Sequence, residues 1–105
     1  MPSDGKGQRI TVYFAESDQW RYRPLSMALL DMLRQEGCSG ATVTRGVAGF
    51  GAGSRIKTST LVELSVDLPL LLTVVDTPER GARLLPKLRE MVGGGLITVE
   101  EVDLY

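Results

Sequence analysis

No histidine occurs anywhere in the sequence, and Cys38 is its only cysteine. These two scarcities exclude an intrachain disulfide, a Cys/His zinc site, a Ser-His-Asp triad and a Cys-His dyad. Cys38 lies between Gly37 and Ser39 with no basic neighbour to draw out a thiolate, so it reads as a structural or incidental thiol. No apolar run reaches membrane length: the longest, Leu68 to Val75, is interrupted by Pro69 and Thr73 and falls far short of the roughly 20 residues a span requires. Neither sign of charge is in surplus, with 13 acidic against 12 basic residues. No global field therefore holds nucleic acid, and any anion site must be local. The polar stretch Met1 to Gln8 carries no apolar signal segment, and the cytoplasm is the expected compartment.

What is present is the composition of a folded protein. A chain of 105 residues that is 43% apolar and 24% charged suits one soluble domain, since two halves would each be too small to bury a core. Residues 1–8, rich in Gly, Ser, Pro and Lys, are predicted to form a flexible tail, with a single domain over 9–105.

Ile10, Val12 and Phe14 alternate with Thr11, Tyr13 and Ala15, the period of a strand. Pro24 can open a helix in which Leu25, Ala28, Leu29, Met32 and Leu33 make one apolar stripe, and Gly37 ends it. A second strand is expected over 41–47, parallel to the first. After a Gly-rich loop, Val62, Leu64, Val66, Leu68, Leu70, Leu72 and Val74 keep one period-two phase, predicting a long strand bent near Asp67 and Pro69 in preference to two short ones. Thr77 caps a second helix with Leu84, Leu85, Leu88, Met91 and Val92 on its buried face; Pro86 predicts a kink, and Gly93 to Gly95 a stop. In the last strand Ile97 and Val99 differ in parity from Val102 and Leu104, so Glu100-Glu101 is predicted to mark a bulge or change of face. The resulting βαββαβ order predicts an α+β, ferredoxin-like sandwich: an antiparallel sheet with both helices on one face. Tyr13, Leu61 and Leu71 on the other face then need a cover, and oligomerisation provides one.

The strongest chemical signal is the loop 46–59. Gly46, Gly49 and Gly51 let backbone N–H groups approach an oxyanion, and Arg55, Lys57, Thr58 and Ser59 add charge and hydroxyl donors. The glycine spacing before Lys57 is not that of a Walker A loop, and a flexible solvated hairpin is the plainer alternative. Phe50, flanked by glycines, is a plug for a neighbouring subunit or a stacking surface for a base. Glu16, Ser17 and Asp18 follow the first strand, where Ser17 or Asp18, or a ligand anion, can satisfy the open N–H groups of the first helix. Asp76, Glu79, Glu100 and Glu101 form no acid/base pair or metal-ligand pattern.

The runs Phe14-Ala15-Glu16-Ser17-Asp18, Pro24-Leu25, Gly40 to Gly51, Arg55-Ile56-Lys57-Thr58-Ser59 and Asp67-Leu68-Pro69, in this order, resemble the PII-like DUF190 (UPF0166) family, which commonly has histidine where this chain has Lys57. The resemblance covers Arg9 to Leu104. It implies a homotrimer of ferredoxin-like subunits, with 46–59 at the position of the PII T-loop and Gly93 to Gly95 at that of a phosphate-contacting turn. It further implies an adenine nucleotide such as ATP, ADP or AMP as effector in clefts between subunits. A protein partner (a transporter, channel or enzyme) would meet the loop. The leading expectation is a non-enzymatic regulatory module. The alternatives are a small enzyme on a phosphorylated compound, with Asp18 or Glu16 as base, and an oligomeric adaptor without a ligand.

Overall fold

A computed structural model describes residues 5–51 and 67–105. The alternating residues of the first segment form β1 (Gly5–Ala15), followed by a short hairpin of β2 (Gln19–Trp20) and β3 (Arg23–Pro24), then α1 (Leu25–Gln35), β4 (Thr42–Arg45), β5 (Pro69–Asp76), α2 (Pro78–Val92) and β6 (Leu96–Leu104). The sheet order is β4-β5-β1-β6 with each adjacent pair antiparallel. β4 therefore runs parallel to β1 with β5 between them. Ile10, Val12, Phe14, Leu70, Leu72 and Val74 on one sheet face pack with Leu25, Leu29, Leu33, Leu84, Leu88 and Val92, so both helices cover the same face and enclose one core. This is the ferredoxin-like α+β sandwich that the strand and helix periods predict.

Each helix ends as its sequence dictates. The Gly37 and Cys38 N–H groups donate to the Arg34 and Leu33 carbonyls, both at 3.1 Å, with Gly37 at φ 90°, the left-handed closure that favours glycine. Thr77 Oγ1 accepts from the Arg80 N–H at 3.2 Å, and α2 runs through Pro86 to Val92 without ending there. A polar cluster joins the two helices at the far end of the sheet. Asp76, only 4% exposed, accepts from the Thr77 N–H at 2.8 Å and lies 3.1 Å from Arg80 Nε, a charge contact rather than an aligned hydrogen bond. Arg80 Nη1 donates to the Glu36 carbonyl at 2.6 Å and so caps α1. Burial, and next the neighbouring Asp76 charge, push the Cys38 thiol up from its ordinary range, as fits a structural cysteine.

Three expectations change. β1 starts at Gly5 rather than near Arg9, because Gly5 to Gln8 find partners in Leu104 to Glu101 and Lys6 Nζ meets Asp103 Oδ1 at 2.7 Å. β6 has no bulge at Glu100-Glu101: its register against β1 advances residue for residue from Tyr13↔Leu96 to Gly5↔Leu104. The apolar parity changes because exposed Glu101 and Asp103 continue the helix-facing side beyond the core, while Val102 and Leu104 belong to the open face. β5 begins at Pro69, where a missing N–H breaks no ladder; the portion expected over 61–66 lies outside the described residues.

The open face has its own order. Thr42, Thr73, Thr11 and Thr98 are successive cross-strand partners and form one row across all four strands. Thr44, Leu71, Tyr13 and Leu96 form the next row. Of the residues predicted to need a cover there, Tyr13 and Leu71 are on this face, and Leu61 lies outside the described residues.

Candidate functional site

Several chain segments meet at the end of the sheet where β1 and β4 finish and β5 starts. The Glu16 N–H donates to the Leu68 carbonyl at 2.9 Å and the Gly46 N–H to the Pro69 carbonyl at 2.8 Å. Ser17 N–H donates to Asp67 Oδ1 at 3.0 Å. Arg45 Nη2, at the end of β4, lies 3.4 Å from Glu16 Oε2. Gly93 to Gly95 join the same end, since Gly95 sits against β1: a Cβ there would lie 2.5 Å from the Tyr13 carbonyl oxygen and 2.6 Å from Val92 Cγ1. Arg89 Nη2 holds this turn by donating to the Gly95 carbonyl at 2.7 Å and to that of Gly93.

The fold thus brings Glu16, Ser17 and Asp18 to the same strand end as Gly46 and Gly49, which lie against Pro69; Phe50 and Gly51 follow Gly49 in the chain with no contact to the turn, and Arg55, Lys57, Thr58 and Ser59 lie outside the described residues. The side chains of Glu16 and Asp18 already have partners within the chain, and Ser17 is engaged through its backbone N–H. Asp18 Oδ2 accepts from the Ala15 N–H at 3.1 Å, and the Asp18 main-chain carbonyl accepts the Leu25 N–H at 2.9 Å. That corrects the expected side-chain capping of α1: Pro24 is its N-cap, no side chain among the described residues bonds there, and Asp18 serves through its backbone. Phe50 is 98% exposed, so its ring is not spent on the core of its own chain. Arg45 and Asp67 are contributors that sequence reasoning missed. The available signal was positional: in a β4-β5-β1 order, the last residue of β4 must lie at the same end as Glu16.

The hairpin between β1 and α1 was also missed, because Trp20-Arg21-Tyr22-Arg23 contains no turn-favouring residue. Arg21 and Tyr22 form a two-residue connection with φ 51° and 69°, the condition for a type I′ turn. Such left-handed backbone costs an ordinary residue about 1–2 kcal/mol each. The hairpin base holds it: Trp20 packs against the core and Arg23 Nη2 meets Asp31 Oδ2 on α1 at 2.6 Å.

Against this geometry, the comparisons with known proteins are consistent. The DUF190 family model, described as "Uncharacterized ACR", matches residues 7–104. The chain belongs to the DUF190 (UPF0166) family. A UPF0166 protein of Methanocaldococcus jannaschii is 33% identical over 95% of this chain and 93% of its own length. Among solved structures, CPII from Thiomonas intermedia K12, bound to ADP, AMP and acetate, superposes with a TM-score of 0.68 at 12% identity, covering 95% of this chain and 89% of that one. A protein of Thermus thermophilus described as PII-like and signalling gives 0.64 at 21% identity, with 92% and 87% covered. The DUF190 chain therefore has the PII-like fold. Among its described residues, no helix is long and apolar enough to cross a membrane, and no group of acidic and cysteine side chains is arranged to hold a metal ion.

Proposed function

We propose that this DUF190 protein is a non-enzymatic, cytoplasmic PII-like regulatory subunit. In this reading it forms a homotrimer and binds an adenine nucleotide in the clefts between subunits. Gly46, Gly49, Phe50 and Gly51, with Arg55, Lys57, Thr58 and Ser59, contact the effector, and the loop 46–59 passes its state to a protein partner such as a transporter, channel or enzyme. The observation that carries the reading is the convergence of the Gly46 to Gly49 backbone, Arg45 and the Gly93 to Gly95 turn at one end of the sheet. The Gly46, Gly93 and Gly95 N–H groups already donate within the chain, so the backbone donors this reading relies on are those of Gly49, Phe50 and Gly51, a glycine-flanked run of the kind that suits phosphate oxygens. The acidic groups nearby do not oppose an anion freely, since Asp18 and Asp67 each accept a backbone N–H and Glu16 faces Arg45. CPII, which has the PII-like fold, is bound to ADP and AMP together with acetate, and that supports an adenine nucleotide as the effector in this reading.

Calorimetry with ATP, ADP, AMP and cyclic nucleotides tests this. Saturable binding without turnover is expected, and Arg55→Ala with Lys57→Ala should weaken it roughly ten- to a hundredfold per lost charge-assisted contact. Equal affinity in the double variant would take the site away from this loop; hydrolysis of the nucleotide would favour the enzymatic alternative.

A further inference from the structure

The Trp20 to Arg23 hairpin has features that neither the core nor the anion-binding segments require. Tyr22 is 97% exposed at its tip, in a left-handed conformation that glycine would adopt more easily. Arg21 stacks its guanidinium over the Trp20 ring at 4.9 Å to the centroid, which pre-orients a cation at the surface. Met27, in the first turn of α1, the helix on which the hairpin rests, is half exposed. Trp20 packs against the core and anchors the base, while Arg23 pairs with Asp31 at the surface and leaves Arg21 as the tip's cation without an acidic partner among the described residues. Tyrosine, arginine, tryptophan and methionine are the side chains enriched where proteins meet, and a rigid presentation lowers the ordering cost of binding.

From this juxtaposition we infer that the β2–β3 hairpin is a preformed docking knob for an acidic protein segment. A carboxylate of the partner meets Arg21, and an apolar or aromatic side chain beside it packs on Tyr22 and Met27. Nucleic acid fits less well: one uncommitted arginine beside Glu16 and Asp18, on a chain of net charge −1, cannot neutralise a run of phosphates. The knob stands at the same end of the sheet as Gly46 to Gly49, so one partner can meet both, yet its docking does not depend on a bound nucleotide.

Selection of a random peptide display library on the nucleotide-free protein, with counter-selection on an Arg21→Ala, Tyr22→Gly variant, tests the inference. The expected recovered peptides pair Asp or Glu with a neighbouring apolar or aromatic residue. They should bind the wild type at least tenfold more tightly than either single variant, with affinity falling as salt rises. Tyr22→Gly should also raise the melting temperature, which separates loss of docking from loss of fold. The inference is overturned if no acidic peptide is enriched, if the enriched peptides bind the double variant equally, or if a single-stranded oligonucleotide binds through these two residues instead. It is equally overturned if the double variant changes the oligomeric mass, because the knob would then be a contact between copies.

Discussion

At Gly95 a single missing methyl group sets how closely the end of α2 approaches the sheet. The Cβ of an alanine would collide with the Tyr13 carbonyl and with Val92 Cγ1, and a backbone carbonyl in a central strand cannot swing aside as a side-chain tip can. Gly95→Ala should therefore cost about 2 kcal/mol, within the range for overpacking, and lower Tm by roughly 10 °C. Thermal melting followed by circular dichroism measures this; an unchanged Tm would mean that the turn yields freely. Such contacts are invisible in sequence, where Gly93, Gly94 and Gly95 look interchangeable as helix terminators. The same blindness hid Arg45, whose importance lies in a cross-strand distance to Glu16. It hid the hairpin too, because local preference argues against left-handed backbone at Arg21 and Tyr22, and tertiary anchoring through Trp20 and Arg23 prevails.

Among the elements, the two helices share the apolar core and are tied in addition by Arg80, which reaches from α2 to the last turn of α1 while facing buried Asp76. Arg80→Ala strands a nearly inaccessible carboxylate and uncaps α1. The expected loss is about 2–3 kcal/mol, below the full penalty for breaking a buried pair because the Thr77 N–H still serves Asp76 and Arg80 is itself partly exposed. Urea denaturation gives the value; a loss under half of this would show that solvent replaces the arginine. Element identity was the most legible property of the chain. The strand period of Ile10, Val12 and Phe14, the helix stripe from Leu25 to Leu33 and the Thr77 cap all correspond to what forms, since each depends on neighbours within one turn or one pleat. Boundaries were less so. Where β1 begins depends on β6, and the side on which Val102 lies depends on how far the helical layer extends, both of which are long-range facts. Of the site, the placement of Glu16 to Asp18 beside Gly46 followed from topology, but the use of Asp18 as a turn staple did not.

At the scale of the molecule, the described residues put no helix on one sheet face, which carries the threonine row beside Thr44, Leu71, Tyr13 and Leu96. In the proposed trimer this face is covered. Light scattering of the wild type should give the mass of three chains at micromolar concentration, and Leu71→Arg should shift it to one chain with an unaltered far-ultraviolet spectrum. A monomeric wild type would remove the clefts between subunits and with them the proposed nucleotide site. The pairing of β1 with β6 bears on a different property, the time the chain needs to fold. Gly5 and Leu104 are direct partners although they come from opposite ends of the chain, so the central strand cannot complete its ladder until a loop of nearly the whole chain has closed. Joining residues 5 and 104 by a short linker and opening the chain between β4 and β5 turns that pairing into a local hairpin. The permuted protein should refold several-fold faster than the original in stopped-flow fluorescence of Trp20, and an unchanged rate would mean that the β1–β6 ladder forms only after the barrier has been crossed.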